Sequence, residues 1–260
     1  MVVMPVACRA AEKRTTAEAY WAEGISAYEE GDYGRAVELF EHIVNLDEVS
    51  ADLYYNLAGA YFKLGQQHTL DSARPFSGGE LGHAIVNYHR ALRLNPAMED
   101  AHYNLDLARD YTNDTKAVPM SLLATLWLAV RNMTTSNVWA IISIIALALT
   151  LSLTLFYLLS ERVAVRKVGF FLALALLLIF IITTALAISS RRAIEVDNRA
   201  VVVCNDTMPV HASPDSSSKI IRRPSQGVTV DVLRNHGEWT EIHFVDGEKG
   251  WIRSANIEKI

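Results

Sequence analysis

Hydrophobic positions follow three different rules along this chain. From 17 to 112 they recur every three to four residues between short polar stretches, which predicts a series of amphipathic helices. Two unbroken apolar runs follow, 138–159 and 168–188, with no Asp, Glu, Lys, Arg or His in either. Each is long enough for the ~20 residues that carry a helix across a bilayer. Backbone polar groups cannot go unsatisfied in lipid, so each run is expected to be helical. From 196 the period drops to two, with VVV, GVTVDVL and TEIHF set between Gly, Pro and Asn turns, the pattern of short half-buried strands. Only the eight residues 160–167 separate the apolar runs. That spacing predicts a hairpin, with both flanking modules on one side of the membrane.

The helical part repeats itself. Residues 17–50 make one 34-residue unit, and the pattern restarts at Ala51. Tyr20, Gly24, Tyr28, Ala36 and Phe40 in the first unit, and Tyr54, Ala58, Tyr61, Ala84, Tyr88 and Pro96 in the second, resemble the landmarks of the tetratricopeptide repeat. Small residues allow the two helices of a unit to cross, and Gly31 and Gly65 read as helix C-terminal caps. The second unit carries an insertion between Gly65 and Ala84, read as slack rather than a binding loop. Residues 99–112 look like a capping helix without its partner. Repeat geometry places Trp21, Tyr55, Asn56, Phe62, Lys63 and Asn104 on the groove side as candidate protein-binding residues, with Tyr28 and Tyr103 read as wedge packing.

The apolar segment 117–133, with Trp127 and Arg131, suits an interfacial helix. Channels and pumps mark their paths with charges inside the bilayer, and the two runs carry only Ser and Thr as polar groups. Arg162, Arg166 and Lys167 outnumber Glu161 between the runs, which predicts a cytoplasmic hairpin loop and periplasmic modules. Arg131, Arg191, Arg192 and Arg199 on the opposite flank partly cancel that bias.

Gly237 and Trp239, followed by Asp246, Gly247, Gly250, Trp251 and Ile252, resemble the bacterial SH3-like domain over 196–260. The resemblance implies peptidoglycan or a protein as ligand. Its candidate ligand face is Asn235, His236, Trp239, Asp246 and Trp251, although a barrel this small needs its aromatic rings for core as well. His211 and His243 are expected at the surface.

Charge and cysteine content narrow the function. Residues 11–116 hold 18 acids against 9 bases, whereas 191–260 hold 10 of each. An acidic first module argues against nucleic acid, and two cysteines, Cys8 and Cys204, give neither a disulfide framework nor a zinc site. Phosphate loops, metalloprotease helices and nucleophile elbows are absent from the sequence, so neither enzyme activity nor a cofactor is expected. Residues 1–14 read as the end of a leader peptide or as a disordered tail.

The fold class expected is therefore a multidomain membrane protein. It joins an all-α tetratricopeptide solenoid (15–116), an α-helical transmembrane hairpin and an all-β SH3-like barrel. This order of parts resembles the BatE branch of the Bacteroides aerotolerance (Bat) family. The resemblance implies an inner-membrane protein beside von Willebrand A-domain membrane proteins and a MoxR-type ATPase, serving oxidative or envelope stress. The function expected is a membrane-anchored scaffold. Alternatives are a peptidoglycan-sensing module and an accessory subunit of a transporter.

Overall fold

A computed structural model describes residues 6–71, 76, 78–112, 121–195, 198–205 and 207–260. Among the described residues are eight α-helices and seven strands. They divide into two compact units. One holds the repeats and the C-terminal sheet, and the other holds the apolar hairpin.

Helices α1 (Val6–Glu30) and α2 (Tyr33–Asn45) form the first repeat. Gly31, at φ +83°, turns the chain between them, and Asp32 caps α2 by accepting from the Arg35 amide at 3.0 Å. Ala36, Val37, Leu39, Phe40 and Ile43 form one buried stripe on α2. Gly24 lies where α1 crosses it: a Cβ there would meet Phe40 Cε1 at 2.6 Å. Of residues 1–14, expected as leader or tail, 1–5 lie outside the described residues and helix α1 begins at Val6.

The second repeat departs from the sequence reading. Helix α3 (Ala51–Asp71) runs through Gly65 rather than ending there. Gly65 is a packing glycine, because a Cβ would strike the Phe76 ring at 2.2 Å. Of the insertion, Phe76 and Glu80 are packed rather than slack. Phe76 is buried in the core, its ring tilted against Phe62 and edge-on to Tyr111 at 5.4 and 5.2 Å between ring centroids. Glu80, the first residue of α4 (Glu80–Leu94), is buried. Its carboxylate binds the Gly78 amide at 2.8 Å and His68 Nδ1 at 2.6 Å. Helix α5 (Glu99–Arg109) then closes the array with Ala101, Leu105 and Ala108 inward.

In the other unit, α6 (Leu122–Asn132) precedes two antiparallel helices, α7 (Ser136–Leu159) and α8 (Val163–Glu195). Residues 117–120 of the expected interfacial helix lie outside the described residues. Both α7 and α8 are long and apolar enough to cross a membrane. The connection is tighter than the eight residues expected, because α8 already begins at Val163. Thr150, Ser152 and Thr154 bond back to carbonyls four residues earlier. Ser143 instead pairs across the hairpin with the Thr184 hydroxyl at 2.7 Å.

The C-terminal strands are β1 (Arg199–Val202), β2 (Val210–His211), β3 (Ile220–Arg222), β4 (Thr229–His236), β5 (Trp239–His243), β6 (Lys249–Arg253) and β7 (Ile257–Lys259). They form one antiparallel sheet in the order β3-β2-β6-β5-β4-β1-β7. Ala200, Val202, Val210, Val230, Ile242 and Ile252 share one core, so strands near opposite ends of that order curl round the same apolar centre.

The sheet docks on the repeats. Val201 and Ile260 belong to the same buried cluster as Leu81, Ile85 and Tyr88. Gly82 lets α4 approach β1 closely, since a Cβ there would meet the Val202 carbonyl at 2.9 Å. Around this apolar contact, Glu258 accepts from Arg90 at 2.7 Å and lies 3.0 Å from His83 Nδ1. Arg90 and Arg93 donate to the carbonyls of Lys259 and Ile260, and the Gln226 amide donates to the Phe76 carbonyl. Helix α4 is buried nearly all round because it serves two partners, its repeat neighbours and the sheet.

Candidate functional site

The register of β5 and β6 creates an aromatic face on the sheet. Thr240, Ile242 and Ile252 point into the core. Trp239, Glu241, Trp251 and Arg253 therefore fall on the opposite side, because strand side chains alternate. Trp251 pairs with Glu241 across the strands, and Trp239 pairs with Arg253. A register shift in β4 between Val232 and Arg234 brings Arg234 opposite Glu241 and leaves Leu233 exposed. The Gly237 turn (φ +60°) places His236 opposite Trp239.

These residues hold each other in place. Arg253 lies over the Trp239 ring at 5.3 Å, and Arg234 lies over Trp251 at the same distance. Each cation is also anchored to an acid: Arg253 to Glu238 at 3.0 Å and Arg234 to Glu241 at 2.6 Å. His211 meets Trp239 edge-on at 5.3 Å, and His236 meets Trp251 edge-on at 6.4 Å. Trp251 is 9% exposed and Trp239 is half-buried. The result is a tryptophan platform in which Trp239 is the accessible ring, Trp251 is covered beside it, and imidazole and guanidinium groups form the rim. Such a surface can stack on a sugar ring or on an apolar side chain, and its rim can accept hydrogen bonds from a ligand or donate to it.

His236, Trp239 and Trp251, expected on the ligand face, are brought together. Asn235 points the other way: its carbonyl oxygen accepts from the Thr240 hydroxyl, which pairs with Ser254. Asp246 sits in the β5–β6 turn, at the far end of the strands from Trp239. It accepts from the Glu248 amide and from Arg222 at 2.5 Å, bonds that hold its carboxyl below the ordinary range. Its work there is turn formation. His211, expected at the surface, is buried, with Nδ1 donating to the Ser218 carbonyl at 3.2 Å. Sequence reasoning missed His211, Arg234 and Arg253. The period-two alternation from Trp251 within β6 offered Arg253 as its same-face neighbour. The register shift that recruits Arg234 has no signature in the sequence.

The repeat residues divide in the same way. Phe62 is corrected: it is 6% exposed and belongs to the core with Phe76, with the exposed Tyr111 ring edge-on against it. Tyr55 accepts from Asn104 at 3.0 Å and so ties α3 to α5. Burial and then the nearby Asp100 charge push its phenol up. Asn56 bonds back to the Asp52 carbonyl, and Trp21 leans on Phe40 at 5.7 Å. Lys63 is exposed. Tyr103 is not wedge packing: it is 71% exposed on the capping helix.

The sheet matches the bacterial SH3 domain family over residues 206–258. The chain is also similar to the photosystem I assembly protein Ycf3 of Cyanophora paradoxa, 31% identical over 103 residues, or 40% of this chain and 51% of the relative. Against the Ycf3 of Synechococcus sp. (strain CC9605) it is 31% identical over 108 residues, covering 40% of this chain and 52% of the relative. The chain spans about half the length of the curated relatives it matches. Those relatives are tetratricopeptide-repeat proteins, which supports the repeat reading of the helical part. The chain therefore combines a repeat region, two helices able to span a membrane and a bacterial SH3 domain, modules that generally mediate protein interaction or cell-wall binding.

Proposed function

We propose that this protein is a non-catalytic, membrane-anchored scaffold in which repeats and SH3 barrel act as one docking body. One observation carries the reading. The barrel is fixed to α4 by Val201, Ile260 and the Glu258 ion pairs, which leaves the tryptophan platform and the groove-side residues of α1, α3 and α5 for partners. Because repeats and barrel are one body, the intervening chain must cross a membrane an even number of times. Helices α7 and α8 supply two crossings, and the 11 residues of α6 are too few for a third. Tethering raises the effective concentration of each weak contact.

The partners proposed are those of a Bat-type complex, von Willebrand A-domain membrane proteins and a MoxR-type ATPase, in envelope or oxidative stress. The order of modules supports this, and the assembly role in the name of the Ycf3 relatives suits a scaffold. The basic hairpin loop favours modules on the periplasmic face of the inner membrane. Site-specific photocrosslinking from Lys63 and Tyr103 in cells tests the reading. Adducts with A-domain membrane proteins support it, and adducts confined to the chain itself overturn it.

The tryptophan platform favours a second reading, peptidoglycan binding. Retention of the detergent-solubilised full chain on purified sacculi, lost in Trp239→Ala, supports it. Alkaline phosphatase fusions at Ile260 that are inactive exclude it, because the barrel would then face the cytoplasm.

A further inference from the structure

The loop end of the hairpin carries an apolar cleft and a cluster of bases in the same two turns. Leu153 and Phe156 of α7 and Ala164, Val168, Gly169 and Leu172 of α8 line a cleft of about 320 Å³. This is the small end of the roughly 300–1,000 Å³ range of ligand sites. It exists because Ala164 and Gly169 are small where the helices part. A Cβ on Gly169 would meet Tyr157 Cβ across the hairpin at 3.8 Å, an ordinary contact. From Ala164 to Leu172 the cleft runs roughly 12 Å along the helix axis.

Arg162, Arg166 and Lys167 alternate with the lining residues along the chain, and all three are exposed. Arg166 lies over the Tyr157 ring at 5.1 Å. Among the described residues none of the three makes an ion pair, and Glu161 is the one acid beside them. An apolar slot beside three bases and a single acid fits a molecule with one hydrocarbon end and one anionic end.

We propose that this cleft binds one acyl chain of an anionic phospholipid, with the phosphate held by Arg162 and Lys167. The proposal rests on the hairpin lying in a bilayer. Charge selects the lipid class: each base near a membrane surface favours an anionic headgroup, while the cleft is indifferent to the headgroup. The site lies at the loop end of the hairpin, so an occupied cleft would fix the depth of the loop in its leaflet.

Native mass spectrometry of the delipidated full chain in detergent tests the assignment, with phosphatidylglycerol and phosphatidylcholine of identical chains as probes. The first phosphatidylglycerol should bind on the order of tenfold more tightly than phosphatidylcholine. Arg162→Gln with Lys167→Gln should bring the ratio to about one without abolishing binding. Gly169→Leu, which favours the helix while filling the cleft, should weaken both lipids, with circular dichroism confirming the fold. A ratio of one in the unaltered chain overturns the proposal, as does a preference that survives the charge substitutions. Glycerol phosphate competing as well as the lipid overturns it too, because the cleft would then contribute nothing. A lipid-free dimer would give the cleft to a second helix and equally overturn it. Failure of the bilayer reading looks different: the chain would stay monodisperse in buffer without detergent.

Discussion

Glu258 shows how one side chain can serve two modules. Burial pushes its carboxyl up, but the hydrogen bond to His83 and the Arg90 charge more than offset that and hold it below the ordinary range. A carboxyl depressed on folding stabilises above its unfolded value, and that stability is lost as pH falls through the folded value. The barrel–repeat contact should therefore hold at neutral pH and weaken as pH falls through and below the ordinary glutamate range. Glu258→Gln should cost about 1–2 kcal/mol of stability at pH 7 and flatten that acid dependence, measured by urea unfolding across pH. The two tryptophans should separate in a similar experiment. Trp251→Ala removes a covered ring and should cost about 2–3 kcal/mol. Trp239→Ala should cost under about 1 kcal/mol while abolishing ligand retention. Equal destabilisation by the two would make the platform a packing feature rather than a binding surface.

At the scale of elements, α4 is the unusual helix. Its sequence mixes Gly82, His83, Asn87 and His89 among apolar residues, which reads as an ordinary half-exposed repeat helix. It is buried on both sides because β1 and β7 cover the face that a repeat leaves open. Gly82 tests this directly. By helix propensity, Gly→Ala in a helix interior stabilises by about 1 kcal/mol. Here the new methyl would meet the Val202 carbonyl and Val203 Cα at 2.9 and 3.2 Å, backbone atoms that cannot swing away. Gly82→Ala should instead destabilise by about 1–3 kcal/mol. Thermal unfolding that shows a gain would mean the barrel does not sit on α4. The inserted segment before α4 belongs to the same contact: it brings Phe76 and Glu80 into the core and offers the Phe76 carbonyl to Gln226.

For the whole molecule, a polar chain reaches from the first repeat to the barrel. Glu41 accepts from the Tyr61 hydroxyl, Tyr61 stacks on His83 at 4.9 Å, and His83 meets Glu258. Burial first, then the Glu41 hydrogen bond, pushes the Tyr61 phenol up, so this link stays intact across the working pH range. With apolar and polar contacts shared, repeats and barrel should unfold in one cooperative transition. Glu258→Gln combined with Arg93→Gln should split it into two, seen by calorimetry of the detergent-solubilised chain. Two transitions already present in the unaltered chain would mean the modules are independent.

Local pattern by itself determined the parts. Helical period, unbroken apolarity and strand alternation each depend on neighbours within a few residues, so the repeats, the hairpin and the small sheet were legible without coordinates. Gly31 as a helix cap was equally local. Tertiary structure alone decided which partner each surface meets. Gly65 reads as a cap until Phe76, eleven residues on, is seen against it. Phe62 reads as a groove residue until the insertion covers it. Arg234 joins the platform only through a register shift, and His83, Arg90 and Arg93 read as solvated charges until a strand more than 160 residues away supplies their acceptors. Contacts over such separations depend on shape and on the cost of leaving buried groups unpaired, neither of which is written into any short stretch of chain.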